Sequence, residues 1–108
     1  MEMPARVVRL VKWPYESIPP DVGELQEQLE RKGWRPLRME DPPSAYYPER
    51  QQQHEEVCWL VRGRLEVGFP DGEVFRLLSG DRVELPAGSR HWLRVLSGEG
   101  ALYLLGSR

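Results

Sequence analysis

Residues 80–91 read GDRVELPAGSRH, and this short run constrains the backbone more closely than any other part of the chain. Gly80-Asp81 is a turn dipeptide. Arg82–Leu85 reads as a strand. Pro86 to Gly88 then reverses the chain, and His91 opens the next strand. One histidine is thereby held at a fixed place beside a tight corner. Working outward, the same rhythm continues. Val74–Leu78, Trp92–Leu96 and Ala101–Leu105 read as short strands separated by Gly80-Asp81, Pro86–Ser89 and Ser97–Gly100. Leu65, Val67 and Phe69 alternate with Arg64, Glu66 and Gly68, which predicts one buried face. Pro70-Asp71-Gly72 is a hairpin turn. Val57–Val61 is apolar at every position, as in a strand covered on both sides. Short strands at near-regular spacing with turns between them predict a sandwich or barrel.

The first part of the chain is punctuated differently. Eight of the ten prolines lie in the first 48 residues, and eight of the ten glycines lie from Gly63 onward. A stiff, extended lead-in therefore precedes glycine-turned strands. Arg6–Trp13 and Trp34–Met39 are strand candidates, bounded or weakened by Pro14 and Pro36. Between them one helix is well signalled over residues 22–32. Asp21 can N-cap, with Glu24 as its capping-box partner. Val22, Leu25 and Leu29 share a face. Arg31 and Lys32 suit the last turn, and Gly33 suits the stop.

Composition bounds the function. The chain has 108 residues, with 15 basic and 17 acidic side chains and a formal net charge of −2. Length predicts one domain over 1–108, large enough to bury roughly two thirds of its unfolded surface. The balanced charge gives no electrostatic case for nucleic acid. No apolar run approaches the ~18–20 residues of a membrane span. The opening MEMPARVVRL lacks a long apolar core, so the expectation is a cytoplasmic protein without a secretory signal. The single cysteine, Cys58, excludes an internal disulfide and a cysteine-rich zinc site. Arginine outnumbers lysine 13 to 2 and asparagine is absent. That pattern fits a thermophile and equally fits GC-rich coding.

Gly80, Pro86, Gly88 and His91 stand at the spacing of the second motif of the cupin superfamily, and the chain is similar to that family over residues 44–105. Val95 replaces the usual asparagine. The first motif is represented by its second half, Glu56 and Gly63. Its leading His-x-His is replaced by Arg50 and Gln52, or by Glu49 and Gln51. The resemblance implies an all-β fold, a double-stranded β-helix or jelly-roll barrel, carrying here one short N-terminal α-helix. It divides the chain into a lead-in (1–43) and a barrel core (44–105). It also implies an interior that often holds a divalent metal on histidines and one glutamate. Family members range from dioxygenases and isomerases to ligand-binding domains and transcription factors, so the fold does not choose a function.

Two readings of the site stand side by side. In the first, His54 and Glu56 point to one face of a strand, and His91 converges on them. Two histidines and a carboxylate form a facial triad suited to Fe, Mn, Ni or Zn, with Gln52 as a weak oxygen ligand. This reading leads to a metal-dependent enzyme of dioxygenase or isomerase type acting on a small molecule. In the second, Glu56 and His91 are fold residues in a metal-free barrel and His54 is exposed on a loop. The protein then binds a small ligand, or acts as a structural or regulatory dimer. Around either site, Arg50 can hold a carboxylate or phosphate. Tyr47 can line the barrel mouth. Cys58, on the Glu56 face, is either a pocket thiol or a small buried hydrophobe. Val57, Trp59 and Val61, on the opposite face, need covering by the N-terminal segment or by a second subunit, and a homodimer is the expected assembly.

Overall fold

A computed structural model describes residues 7–108. Its elements are β1 (Arg9–Val11), α1 (Val22–Arg31), β2 (Arg35–Asp41), β3 (Tyr46–Gln51), β4 (Glu56–Arg62), β5 (Leu65–Gly68), β6 (Val74–Leu77), β7 (Arg82–Leu85), β8 (Arg90–Val95) and β9 (Ala101–Ser107). All pairings are antiparallel. One sheet runs β1-β7-β4-β9-β2 and the other β3-β8-β5-β6. The fold is all-β with one short helix, as expected. Arg6, where the first strand was expected to begin, lies outside the described residues, as does most of MEMPARVVRL. Within them that strand shrinks to three residues. Among the described residues no helix is long and apolar enough to cross a membrane.

Two apolar clusters follow from the alternation along β4 and β9. Cys58 and Leu60 of β4 and Tyr103 of β9 point between the sheets. There they pack with Leu65, Val67, Leu77, Val83, Leu85, Leu93 and Val95. Val57, Trp59 and Val61 point the other way, with Leu102 and Leu104. They are covered by Leu25 and Leu29 of α1 and by Trp34. The N-terminal segment thus supplies the cover, and this face asks for no second subunit. Each fully buried leucine here stabilises by roughly 1.5–3 kcal/mol. The helix starts as read: the Asp21 carboxylate accepts from the Glu24 amide at 3.0 Å, and Gly33 takes φ +85° beyond the last turn.

The turn at Gly80-Asp81 does more than reverse the chain. Gly80 has φ +93°, and the Trp13 ring lies 2.2 Å from where a Cβ would stand. Asp81 is buried and accepts from the amides of Trp13 and Leu78, both at 2.9 Å, and from the Lys12 ammonium. One carboxylate therefore ties the lead-in to the β6–β7 turn. Its charge is offset by an ammonium and two amides, the condition under which burying it is tolerable.

Two strand expectations change. Glu66 and Gly68 of β5 are covered, not open. Trp92 lies over Gly68, filling the space of a missing side chain, and Arg76 and Arg94 pair with Glu66. The whole of β3 lies outside the expected strands. Its side chains are all exposed, so it carries no apolar alternation. It is ordered by its ladder to β8.

Candidate functional site

The corner that decided the fold also builds the site. Gly88, at φ +87°, donates its amide to Gln52 O at 2.7 Å, and Gln52 N donates to Ser89 O at 2.9 Å. This clasp buries Gln52 and brings its amide to Glu56. Gln52 Nε2 donates to Glu56 Oε1 at 3.2 Å and lies 3.3 Å from His91 Nε2. His91 and Glu56 are both buried, with 3.9 Å between Nε2 and Oε1. Arg50 stands directly opposite His91 in the β3–β8 ladder. Its guanidinium lies 4.0 Å from Glu56 Oε2.

Arg50, Glu56 and His91 line a cavity of ≈ 180 Å³, with Gln52 behind them. Met39, Leu93 and Leu105 form its apolar walls, and Tyr47, Pro48 and Tyr103 complete it. Tyr47 and Arg50 are three residues apart, a spacing that sends side chains to opposite faces of a regular strand. The register shifts between them. Such a bulge lets both reach the cavity, and Pro48, with no amide proton to give the ladder, lies inside it. Strands β2 and β3 are the adjacent edges of the two sheets, and the cavity lies along the seam between them. Tyr47 and the Arg50 side chain remain exposed there.

Burial sets the electrostatics. It lowers the His91 pKa to about 4, with the nearby Arg50 charge acting in the same direction, so the imidazole is neutral at pH 7. Burial also raises the Glu56 carboxyl, partly opposed by Arg50. Tyr47 and Tyr103 are raised as well, first by burial and then by hydrogen bonding to Asp41.

Of the residues expected from the sequence, Arg50, Gln52, Glu56, His91 and Tyr47 come together. His54 does not. The chain bends between β3 and β4, and the strand that would align His54 with Glu56 begins only at Glu56. His54 is left exposed. Cys58 is also displaced from the pocket. It is 1% exposed and packed in the core one turn of the pleat deeper, and burial raises its thiol pKa far above the ordinary range. It is a small hydrophobe. Among the described residues no three of histidine, cysteine, aspartate and glutamate gather as a metal-holding group. The residues present do not fit a facial triad. Only Glu56 and His91 converge, a guanidinium stands where a family ligand would, and no buried side-chain nitrogen or oxygen among the described residues lacks a partner.

The sequence reading missed Asp41, Tyr103, Met39 and Leu105. Tyr47 Oη donates to Asp41 Oδ1 at 3.0 Å, and Tyr103 Oη donates to Asp41 Oδ2. Ala101, Tyr103 and Leu105 alternate toward the interior, a signal available in the expected last strand. Asp41 lay two residues beyond the expected end of β2.

Neither a family model nor a curated protein matches the sequence. Solved structures match it by fold. A DUF861 family protein from Thermotoga maritima aligns with TM-score 0.60 and 20% identity over 94% of this chain and 100% of that one. An RmlC-like cupin from Shewanella frigidimarina aligns with TM-score 0.60 and 19% identity, over 68% of this chain and 64% of that one. The DMSP lyase DddQ from Ruegeria pomeroyi aligns with TM-score 0.57 and 29% identity. That match covers 68% of this chain and 36% of the lyase, so this chain spans about a third of its length.

Proposed function

Since this chain has the cupin fold, we propose that its barrel binds a small organic acid, without a resident metal, in the seam between β2 and β3. The observation that carries this reading is the position of Arg50. The His91 ladder pair sets Arg50 beside an apolar cavity, and the 4.0 Å contact of its guanidinium with Glu56 is too long for a hydrogen bond. Among the described residues no group takes a hydrogen bond from the Arg50 donors, which leaves them for a carboxylate, gripped by a guanidinium in a bidentate fork. Met39, Leu93 and Leu105 offer a dry wall for a short aliphatic body. A cavity of ≈ 180 Å³ has room for roughly six waters at ~30 Å³ each, which suits a short-chain acid.

Glu56 shapes the affinity. A carboxylate ligand arriving at Arg50 meets a second carboxylate, and the raised Glu56 pKa lets Glu56 take up a proton in response. Binding is therefore proton-linked. The test is calorimetric titration with pentanoate at several pH values. The expected result is binding that weakens as pH rises and is weakened at least tenfold in Arg50→Met. Pentanoate binding unaffected by Arg50→Met overturns the reading. So does stoichiometric metal bound through His91.

A further inference from the structure

The far end of the pocket has a hydrogen-bonding direction. Tyr47 and Tyr103 both donate to the one carboxylate of Asp41, one phenol to each oxygen. A carboxylate has no proton to return, and a phenol has one proton and two acceptor lone pairs. Each tyrosine oxygen is left able to accept from a ligand and unable to donate. Tyr103 is 1% exposed, whereas Tyr47 stays exposed at the cavity, so Tyr47 is the phenol that a ligand reaches.

The register separates this end from Arg50. Along β9, Tyr103 stands opposite Met39 and Leu60, Leu105 opposite Leu37 and Cys58, and Ser107 opposite Arg35 and Glu56. The Tyr103 and Glu56 rows are four residues apart, about 14 Å at ~3.4 Å per residue. Leu105 lies between them. A ligand spanning the cavity thus meets a cation beside a carboxyl at one end, an apolar middle, and the acceptor oxygen of Tyr47 at the other.

We propose that Asp41, by taking both phenolic protons, makes the pocket selective for acids that carry a hydrogen-bond donor at the end remote from the carboxylate. This rests on the reading that the pocket holds an organic acid. The ligand class is a short ω-amino or ω-hydroxy acid. Asp41 does not line the cavity and is a positioning residue. A keto or ester oxygen at the far end faces lone pairs and finds no donor, so it gives up its hydration without return.

Pentanoate, 5-aminopentanoate and 4-oxopentanoate share a carboxylate and a similar length. They offer the far end a methyl group, a donor and an acceptor. Titration calorimetry is expected to find 5-aminopentanoate roughly tenfold tighter than 4-oxopentanoate. Asp41→Asn keeps the shape, but its amide nitrogen donates to one phenol and frees that phenol's proton, so the ratio falls toward one. Tyr47→Phe, a second variant that leaves the Asp41 side chain intact, also shrinks the ratio. A merely structural role for Asp41 weakens all three acids alike, and that result overturns the proposal. So do equal affinities in the unaltered protein, a preference for 4-oxopentanoate, or a ratio unmoved by Asp41→Asn. If none of the three acids binds, the organic-acid reading fails and this proposal falls with it.

Discussion

Arg50 and His91 face each other across the β3–β8 ladder, a cation beside an imidazole that burial keeps neutral. Under the proposed function, this pair makes one position of the barrel mouth favour an anion over a metal ion. It also makes Arg50 the side chain with the most to lose on substitution. In Arg50→Met, affinity for pentanoate is expected to fall by about 1.5–3 kcal/mol, the worth of a charge-assisted hydrogen bond. Folding stability should change little, because the Arg50 side chain is largely exposed. Calorimetry and a denaturant melt on the same variant separate the two effects.

Acid should destabilise the fold through His91. Its folded pKa of about 4 lies below the ordinary value of 6.5. The unfolded chain therefore binds the proton first, and stability falls as pH drops from about 6.5 to about 4. Denaturant melts across that range should show the loss, and His91→Gln should flatten it. An unchanged slope in the variant would assign the acid sensitivity elsewhere.

Glu56 acts in the opposite sense. Its pKa is raised in the fold, so its contribution is present below the ordinary carboxyl range and is lost as pH rises through the folded value. Glu56→Gln removes that cost. The variant is expected to melt higher than the unaltered protein at pH 7 and to bind pentanoate with less pH dependence. Thermal melts at pH 5 and pH 7 check both the sign and its origin.

Metal content separates the two site readings. Tag-free protein equilibrated with iron, manganese, nickel or zinc and then dialysed is expected to retain far less than one ion per chain, with His54→Ala indistinguishable from the parent. Elemental analysis gives the answer directly. One ion per chain that disappears in His91→Ala would sink the metal-free reading.

The Gly80 corner should be the most brittle part of the fold. Gly80→Ala places a Cβ at φ +93° and inside the Trp13 ring, and the ring cannot move without unseating the Lys12 and Trp13 contacts to Asp81. A loss of about 3 kcal/mol or more is expected. Gly72→Ala is the control, with φ +89° and open space around it. Its smaller loss measures the backbone strain alone.

The legible parts of this chain were those where one residue type serves one local need. The glycines and prolines of residues 80–91 mark their turns because few other residues adopt those angles. Asp21 and Gly33 mark the helix ends, and the uninterrupted apolar run of β4 announced a strand covered on both sides. These are short-range constraints, and they carried the sandwich or barrel and the helix, while the pairing of Glu56 with His91 came from the resemblance to the cupin motifs.

What tertiary structure alone decided depends on the spatial placement of polar groups. Strand β3 has no apolar period and exists because β8 offers it a ladder. The bulge at Pro48 turns Tyr47 and Arg50 to the same cavity, and the bend before Glu56 carries His54 away from it. Asp41 and Tyr103 are 62 residues apart, and nothing local announces that one carboxylate will take the protons of two tyrosines. Periodicity reports which side chains avoid water. The direction of a hydrogen bond is settled only when the chain has brought its donor and acceptor together.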